Sequence, residues 1–289
     1  MALSLIIMEI KKEDLLAFIH NALQEDVREG DHTSLSTIPE TARGKARVLI
    51  KDTGILAGVE LAELIFQTVD PRLKTEVLLQ DGTPVKPGDV AMYVEGPDRS
   101  ILTAERLVLN CMQRMSGIAT VTRSIVQQLE GTHCKVLDTR KTTPGIRLLE
   151  KWAVKIGGGV NHRFGLFDMI LIKDNHVDYA GSIENALTAA QKYVKEHNLD
   201  IPIEIEVRNL EELKEVLAVG GVIRIMLDNF SYEQIREALK LIDGRFPVEA
   251  SGGITPENVR EYAETGVDYV SMGYLTHSVK SLDISLKAV

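Results

Sequence analysis

The spacing of hydrophobic positions changes character about halfway along the chain. Lys12 to Asp26 places Leu15, Leu16, Phe18, Ile19, Ala22 and Leu23 at helical intervals, which predicts a helix with one buried face. Gly30-Asp-His-Thr-Ser34 is expected to be a turn or loop. Gly44 to Lys51 alternates as a strand does, and Leu56 to Val69 has a helix's spacing until Asp70-Pro71 halts it. Thr75 to Leu79 and Asp89 to Glu95 predict two more strands, joined by the turn cluster Asp81 to Gly88. A long helix follows from Ser100 to Glu130, with a kink or break expected at Gly117. This first part reads as a small α+β layer whose strand order stays open.

Beyond Glu130 short apolar runs alternate with helical stretches. Strands are predicted at Lys135–Leu137, Met169–Ile172, Ile203–Val207, Ile223–Leu227, Val248–Ala250 and Tyr269–Met272. Helices are predicted at Ser182–His197, Leu210–Val219, Tyr232–Ile242 and Pro256–Thr265. Ile- and Val-rich strands separated by helices indicate parallel βα units with right-handed crossovers. The repeat is too long for a short open sheet, so an incomplete barrel of the TIM type is expected. Nearly every strand ends on polar groups: Asp138-Thr-Arg-Lys, Lys173-Asp-Asn, Glu206, Asp228-Asn, Ser251-Gly-Gly and Ser271-Met-Gly. In such a barrel the carboxyl ends of the strands surround one mouth, so these residues are expected to converge.

Composition narrows the chemistry. The chain has 289 residues and a formal net charge of −9, with 44% hydrophobic and 26% charged residues. That is an ordinary globular balance, enough for about two domains. No basic stripe with interleaved aromatics argues for nucleic acid, and no apolar run approaches the roughly 18 residues of a membrane span. Met1 to Ile7 is apolar but short and lacks a basic leader, so it makes a poor signal peptide. Cys111 and Cys134 fit neither a disulfide framework nor a metal motif, which suits free thiols in a reducing cytoplasm.

Against that acidic background, the segment from Thr139 to Lys173 holds seven Lys or Arg and only two acids, Glu150 and Asp168. A concentration of cations beside Gly157-Gly-Gly159 and His162-Arg163 suits a compact, multiply charged anion; the plainer alternative is a solvated basic loop. Ser251-Gly-Gly-Ile-Thr255 and Ser271-Met-Gly273 suit a phosphate held by backbone N–H groups, or else are simple tight turns. Glu206 and Asp228 sit inside apolar runs, and a buried carboxylate needs a partner. Sugar hydroxyls and Mg²⁺ are the natural ones beside phosphates, and a structural pair with Lys173 or Arg163 is the alternative. Glu204 is assigned to the other face of its strand and set aside. His176 is left open, and Lys173 also suits a Schiff-base nucleophile.

The motifs together have a familiar pattern. Asp138-Thr-Arg-Lys-Thr-Thr-Pro-Gly, Asn161-His-Arg-Phe-Gly-Leu, Ile172-Lys-Asp-Asn-His, Met226-Leu-Asp-Asn-Phe, Ala250-Ser-Gly-Gly-Ile and Thr276-His-Ser resemble the quinolinate phosphoribosyltransferase family. The likeness extends to Glu25-Asp-Val-Arg-Glu-Gly-Asp-His-Thr-Ser, to Ala104-Glu-Arg-Leu-Val-Leu-Asn and to Leu282-Asp-Ile-Ser-Leu, so it covers nearly the whole chain. It implies an N-terminal α/β sandwich over residues 1–116, joined again by residues 275–289, and a seven-stranded, incompletely closed α/β barrel over 117–274. The implied reaction joins quinolinate to phosphoribosyl pyrophosphate and removes CO2, giving nicotinate mononucleotide for NAD biosynthesis.

The resemblance also implies a cytoplasmic homodimer with a shared site, to which the partner's N-terminal domain gives Arg106. Thr139, Arg140, His162, Arg163 and Lys173 would hold quinolinate. Lys141, Glu206 and Asp228 would hold phosphoribosyl pyrophosphate, with Mg²⁺ on the two carboxylates and no organic cofactor. Ser251, Gly252 and Gly253, with Ser271, Met272 and Gly273, would cradle its 5′-phosphate. Lys141, Lys173, Glu206 and Asp228 are the implied catalytic group. Arg28, Arg208 and Tyr274 depart from the family pattern, and they bear on detail rather than on the reaction.

Overall fold

The structure, a computed structural model, describes residues 10–289; the apolar start at Met1 to Ile7 lies outside the described residues. In chain order the first half forms helices α1 (Lys12–Asp26) and α2 (His32–Thr37), strands β1 (Arg43–Ile50) and β2 (Gly54–Ile55), and helix α3 (Val59–Val69). Strands β3 (Lys74–Val77), β4 (Pro84–Val85) and β5 (Val90–Pro97) lead into helix α4 (Asp98–Gln128). Next come β6 (Lys135–Leu137), α5 (Arg147–Gly157), β7 (Ile170–Ile172), α6 (Asp174–Ala180) and α7 (Ile183–Glu196). Then follow β8 (Ile203–Val207), α8 (Leu210–Val219), β9 (Arg224–Asp228), α9 (Tyr232–Ile242), β10 (Val248–Ser251) and α10 (Val259–Glu264). The chain closes with β11 (Tyr269–Ser271), α11 (Tyr274–His277) and β12 (Ile284–Ala288).

Two compact units divide these elements. One gathers residues 10–123, 142–158 and 275–289. Its four-stranded antiparallel sheet runs β12-β1-β5-β3, with Ile50 opposite Ile284 and Ala46 opposite both Ala288 and Val94. Inward positions of β1 (Val48, Ile50) and the apolar stripes of α1 and α3 (Ile19, Leu61, Ile65, Phe66) are buried, the outcome expected when amphipathic elements share one core.

The other unit gathers residues 124–141 and 159–274. Six parallel strands run in the order β6-β11-β10-β9-β8-β7, and a bridge from Leu137 to Val160 adds a seventh short segment beside β6. No pairing among the described residues joins that segment to β7, so the ring of hydrogen bonds stays open there. This is the barrel-like α/β arrangement that the alternation of strands and helices predicts.

Several local expectations are corrected. Gly30 to Ser34 is not only a loop, because Asp31 accepts from Ser34 N–H at 3.0 Å and caps α2. The turn cluster after Asp81 contains β4, which pairs with β2 over two residues, too short for alternation to register. Helix α4 runs without a break through Gly117. A Cβ there would collide with the Lys280 carbonyl, so this glycine serves close approach of the chain rather than a kink. Helix α5, inside the basic segment, and helix α6, which follows it, were not expected. Arg147, Lys151 and Lys155 therefore belong to α5 and to the first unit, where Lys151 is fully buried.

Candidate active site

Strand parity builds the site in the barrel unit. Glu204 stands level with Arg224, Glu206 with Met226, Glu249 with Met226 and Tyr269, and Ser251 with Asp228. Side chains two apart on a strand share a face, so Glu206, Asp228 and Ser251 share the face of Glu204, Arg224 and Glu249, each nearer the carboxyl end of its own strand. The assignment of Glu204 to the opposite face is thereby corrected: it sits two residues before Glu206 and points the same way.

At these carboxyl ends Lys173, which follows β7 and caps α6, extends its ammonium to 2.5 Å from Glu206 Oε2. Glu206 is buried and Lys173 half-exposed, so this ion pair faces out of the unit rather than into its core. His176 closes the cap by accepting from Lys173 N–H at 2.9 Å through Nδ1, which gives it a local structural task. Asp228 Oδ2 accepts from the Asn229 side-chain amide at 2.6 Å. After β10 the chain turns through Gly252 and Gly253, both with positive φ. Met272 is buried and gives its N–H to the Leu137 carbonyl, so its amide is spent inside the sheet.

The segment after β6 carries Thr139, Arg140 and Lys141, with Thr139 Oγ1 accepting from Lys141 N–H at 3.0 Å. Asp138, fully buried, accepts from Asn161 Nδ2 at 2.5 Å and from His162 N–H at 2.9 Å, tying the 160–163 segment to β6. Arg163 is buried and donates to the Met169 carbonyl at 3.2 Å. Burial, and then the nearby charge of Arg140, push the pKa of Arg163 down. Two guanidiniums whose charges act on one another favour an anion beside them.

Below the mouth lies a buried charge network that sequence reading missed. Arg224 Nη2 donates to Glu204 Oε2 at 2.7 Å, and its Nε lies 3.2 Å from Glu249 Oε2. His162 Nε2 stands 3.3 Å from Glu204 and 3.5 Å from Glu249, while its Nδ1 accepts from Arg163 N–H at 2.7 Å. That contact leaves the neutral ring's proton on Nε2, toward the carboxylates. Burial opposes charge on His162, but Glu249 and Glu204 together outweigh it and raise its pKa. Burial and the Glu204 charge raise the pKa of Glu249; burial opposes ionisation of Glu204 as well, but His162 and Arg224 hold its pKa low. The ring nitrogens of His162 thus face inward rather than toward the mouth. The alternation Glu204-Ile-Glu206, Arg224-Ile-Met-Leu-Asp228 and Glu249-Ala-Ser251 was the signal that could have found this layer.

His162, Glu204 and Glu249 are close enough to surround a cation, but the Arg224 guanidinium already pairs with both carboxylates. Arg106 belongs to the other unit, on α4. It is exposed and, with Glu25, Asp26, Asn110 and Arg114, lines a cavity of about 320 Å³.

Comparison with known proteins places this arrangement. Residues 31–116 match the quinolinate phosphoribosyl transferase N-terminal domain, and residues 118–287 match its C-terminal domain. A chloroplastic nicotinate-nucleotide pyrophosphorylase [carboxylating] of Oryza sativa subsp. japonica is 47% identical over 95% of this chain and 77% of its own length. A probable nicotinate-nucleotide pyrophosphorylase [carboxylating] of Bacillus subtilis is 43% identical, covering 94% of this chain and 92% of its own. The crystal structure of NadC from Streptococcus pyogenes superposes with a TM-score of 0.91 at 38% identity, covering 98% of this chain and all of that one. With both halves matched and relatives this similar over nearly the whole of this chain, it belongs to the quinolinate phosphoribosyltransferase family.

Proposed function

We propose that this enzyme transfers the phosphoribosyl group of phosphoribosyl pyrophosphate to the ring nitrogen of quinolinate. Decarboxylation then releases nicotinate mononucleotide, pyrophosphate and CO2 for NAD biosynthesis. The observation that carries the reading is the Lys173–Glu206 ion pair at the mouth of a family-matched barrel whose strand ends also present Asp228 and the Gly252-Gly253 turn. A dianionic acid answers the cations, and a phosphorylated sugar answers the carboxylates and turns.

Thr139, Arg140, Arg163 and Lys173 hold the quinolinate carboxylates in this reading, with His162 supporting Arg163 from beneath. Arg106 of a second copy completes that pocket, so the working form is a homodimer. Glu206 and Asp228 accept from the ribose hydroxyls, and Ser251 to Gly253 with Ser271 to Gly273 receive the 5′-phosphate. Two carboxylates at neighbouring strand ends also suit Mg²⁺, which commonly takes one or two protein carboxylates and completes its shell with phosphate and water. When bound, the ion neutralises pyrophosphate charge. The two free, buried thiols, Cys111 and Cys134, fit a cytoplasmic setting.

The quinolinate nitrogen forms a bond to C1′ as the bond to pyrophosphate breaks, through an oxocarbenium-like state. Lys141 and the neighbouring cations stabilise the departing charge. The adduct's ring nitrogen is now a pyridinium. As the bond to the 2-carboxylate breaks, its electron pair stays on the adjacent ring carbon, and a proton from solvent completes the product. A Schiff-base route through Lys173 would first have to break its 2.5 Å ion pair with Glu206.

The test is incubation with quinolinate, phosphoribosyl pyrophosphate and Mg²⁺ while following CO2 release and nicotinate mononucleotide. Product from quinolinate but not from nicotinate is expected. Absence of product from a folded preparation sinks the reading.

A further inference from the structure

Asn229 occupies a position where three separate constraints meet. It follows the last residue of β9 and has φ +56°, in the left-handed region that few non-glycine residues adopt. Its main-chain N–H donates to the Ser251 carbonyl at 2.8 Å, joining the ends of β9 and β10. Its side-chain amide donates to Asp228 Oδ2 at 2.6 Å. Gly252 turns against it with φ +95°, and a Cβ on that glycine would collide with the Asn229 side chain and backbone.

A turn alone does not require this side chain. Glycine adopts the left-handed region without strain, and the bond to Ser251 uses only main-chain atoms. What the carboxamide adds is a donor that stops the Asp228 carboxylate from rotating, and a wall that sets how closely the Gly252 turn packs. The two groups it fixes are the ones assigned above to the sugar hydroxyls and to the 5′-phosphate.

We propose that Asn229 is a positioning residue that locks the Asp228 carboxylate and the Ser251–Gly252 turn into one geometry, so that ribose and 5′-phosphate are recognised as a single unit. This rests on the phosphosugar reading of the site.

The test titrates ribose 5-phosphate calorimetrically into the purified full-length protein and its variants, alongside steady-state kinetics. Asn229→Gly keeps the turn and is expected to melt no lower than the parent. Its ribose 5-phosphate Kd and its KM for phosphoribosyl pyrophosphate are expected to rise roughly tenfold, the worth of one charge-assisted hydrogen bond. The KM for quinolinate stays unchanged. Asn229→Asp keeps the shape but sets a like charge beside Asp228, and loses more. Gly252→Ala is expected to be less damaging in the Asn229→Gly background than alone. Wild-type affinity in Asn229→Gly, or in Asn229→Asp, overturns the inference by itself. No binding by the parent protein overturns the phosphosugar reading and the inference together.

Discussion

At the scale of single residues, the balance between charge and burial decides what each group does. Lys173 is tied to Glu206 but half-exposed, so under the proposed function it is placed to meet substrate without supporting the core. Lys173→Ala is therefore expected to fold normally and to raise the quinolinate KM at least tenfold, roughly the loss of one charge-assisted contact; an unchanged KM would remove it from the site. Glu249 behaves oppositely. Its pKa is raised above the ordinary 4.5, so its contribution to stability is present below that value and lost as pH climbs through the higher folded-state value. Glu249→Gln stays neutral throughout. Its melting temperature relative to the parent should rise between pH 4.5 and neutrality, by an energy on the order of 2 kcal/mol. A pH-independent difference would mean that Glu249 titrates in the folded protein as it does in the unfolded chain. The network was missed for a simple reason. Its charges look like solvated strand ends in sequence, and only the counting of every second residue reveals that they share the interior.

Among elements, legibility followed length and regularity. The bounds of β8, α8 and α9 agree with the spacing of their apolar residues, because each buries one clean face and ends at a strong cap or turn. Asn209 and Ser231 cap α8 and α9 through their side chains, signals visible in the sequence. Helices α5 and α6 were hidden by their charge. Lys151 and Glu150 are fully buried in α5, with Glu150 taken up by Arg114 at 2.7 Å and Thr143 at 2.9 Å. A periodicity count that scores Lys and Glu as surface residues cannot see such a helix. Gly117 shows the converse error, since a glycine within a helix marks close packing as readily as a break. Gly117→Ala should cost about 1–3 kcal/mol in urea denaturation, the usual range for overpacking. A neutral result would mean that the Lys280 segment moves aside freely.

For the whole molecule, family membership covers both halves, and the proposed reaction needs a residue from each. Arg106 resides in the antiparallel-sheet unit and Lys173 in the barrel unit. At quinolinate concentrations well below their raised KM values, Arg106→Ala and Lys173→Ala are each expected to be nearly inactive alone. Mixing them under conditions of subunit exchange should restore about a quarter of the parent activity, the statistical yield of one intact site per mixed dimer if sites are independent. Failure to recover activity despite demonstrated exchange would argue that each copy supplies its own Arg106. The exposed Leu166 and Phe167, 69% and 73% accessible, are side chains that a second copy would have reason to cover.

The pairing of β12 with β1 has a consequence for how this protein is made. More than two hundred residues separate Ile50 from its neighbour Ile284. During synthesis β1 therefore leaves the ribosome long before the strand that covers one of its edges. Through that interval an edge with apolar Val48 and Ile50 stands ready to pair with any other strand nearby. A chain interrupted before Ile284 would keep that edge bare, and its fate should be aggregation or chaperone capture rather than a smaller working enzyme.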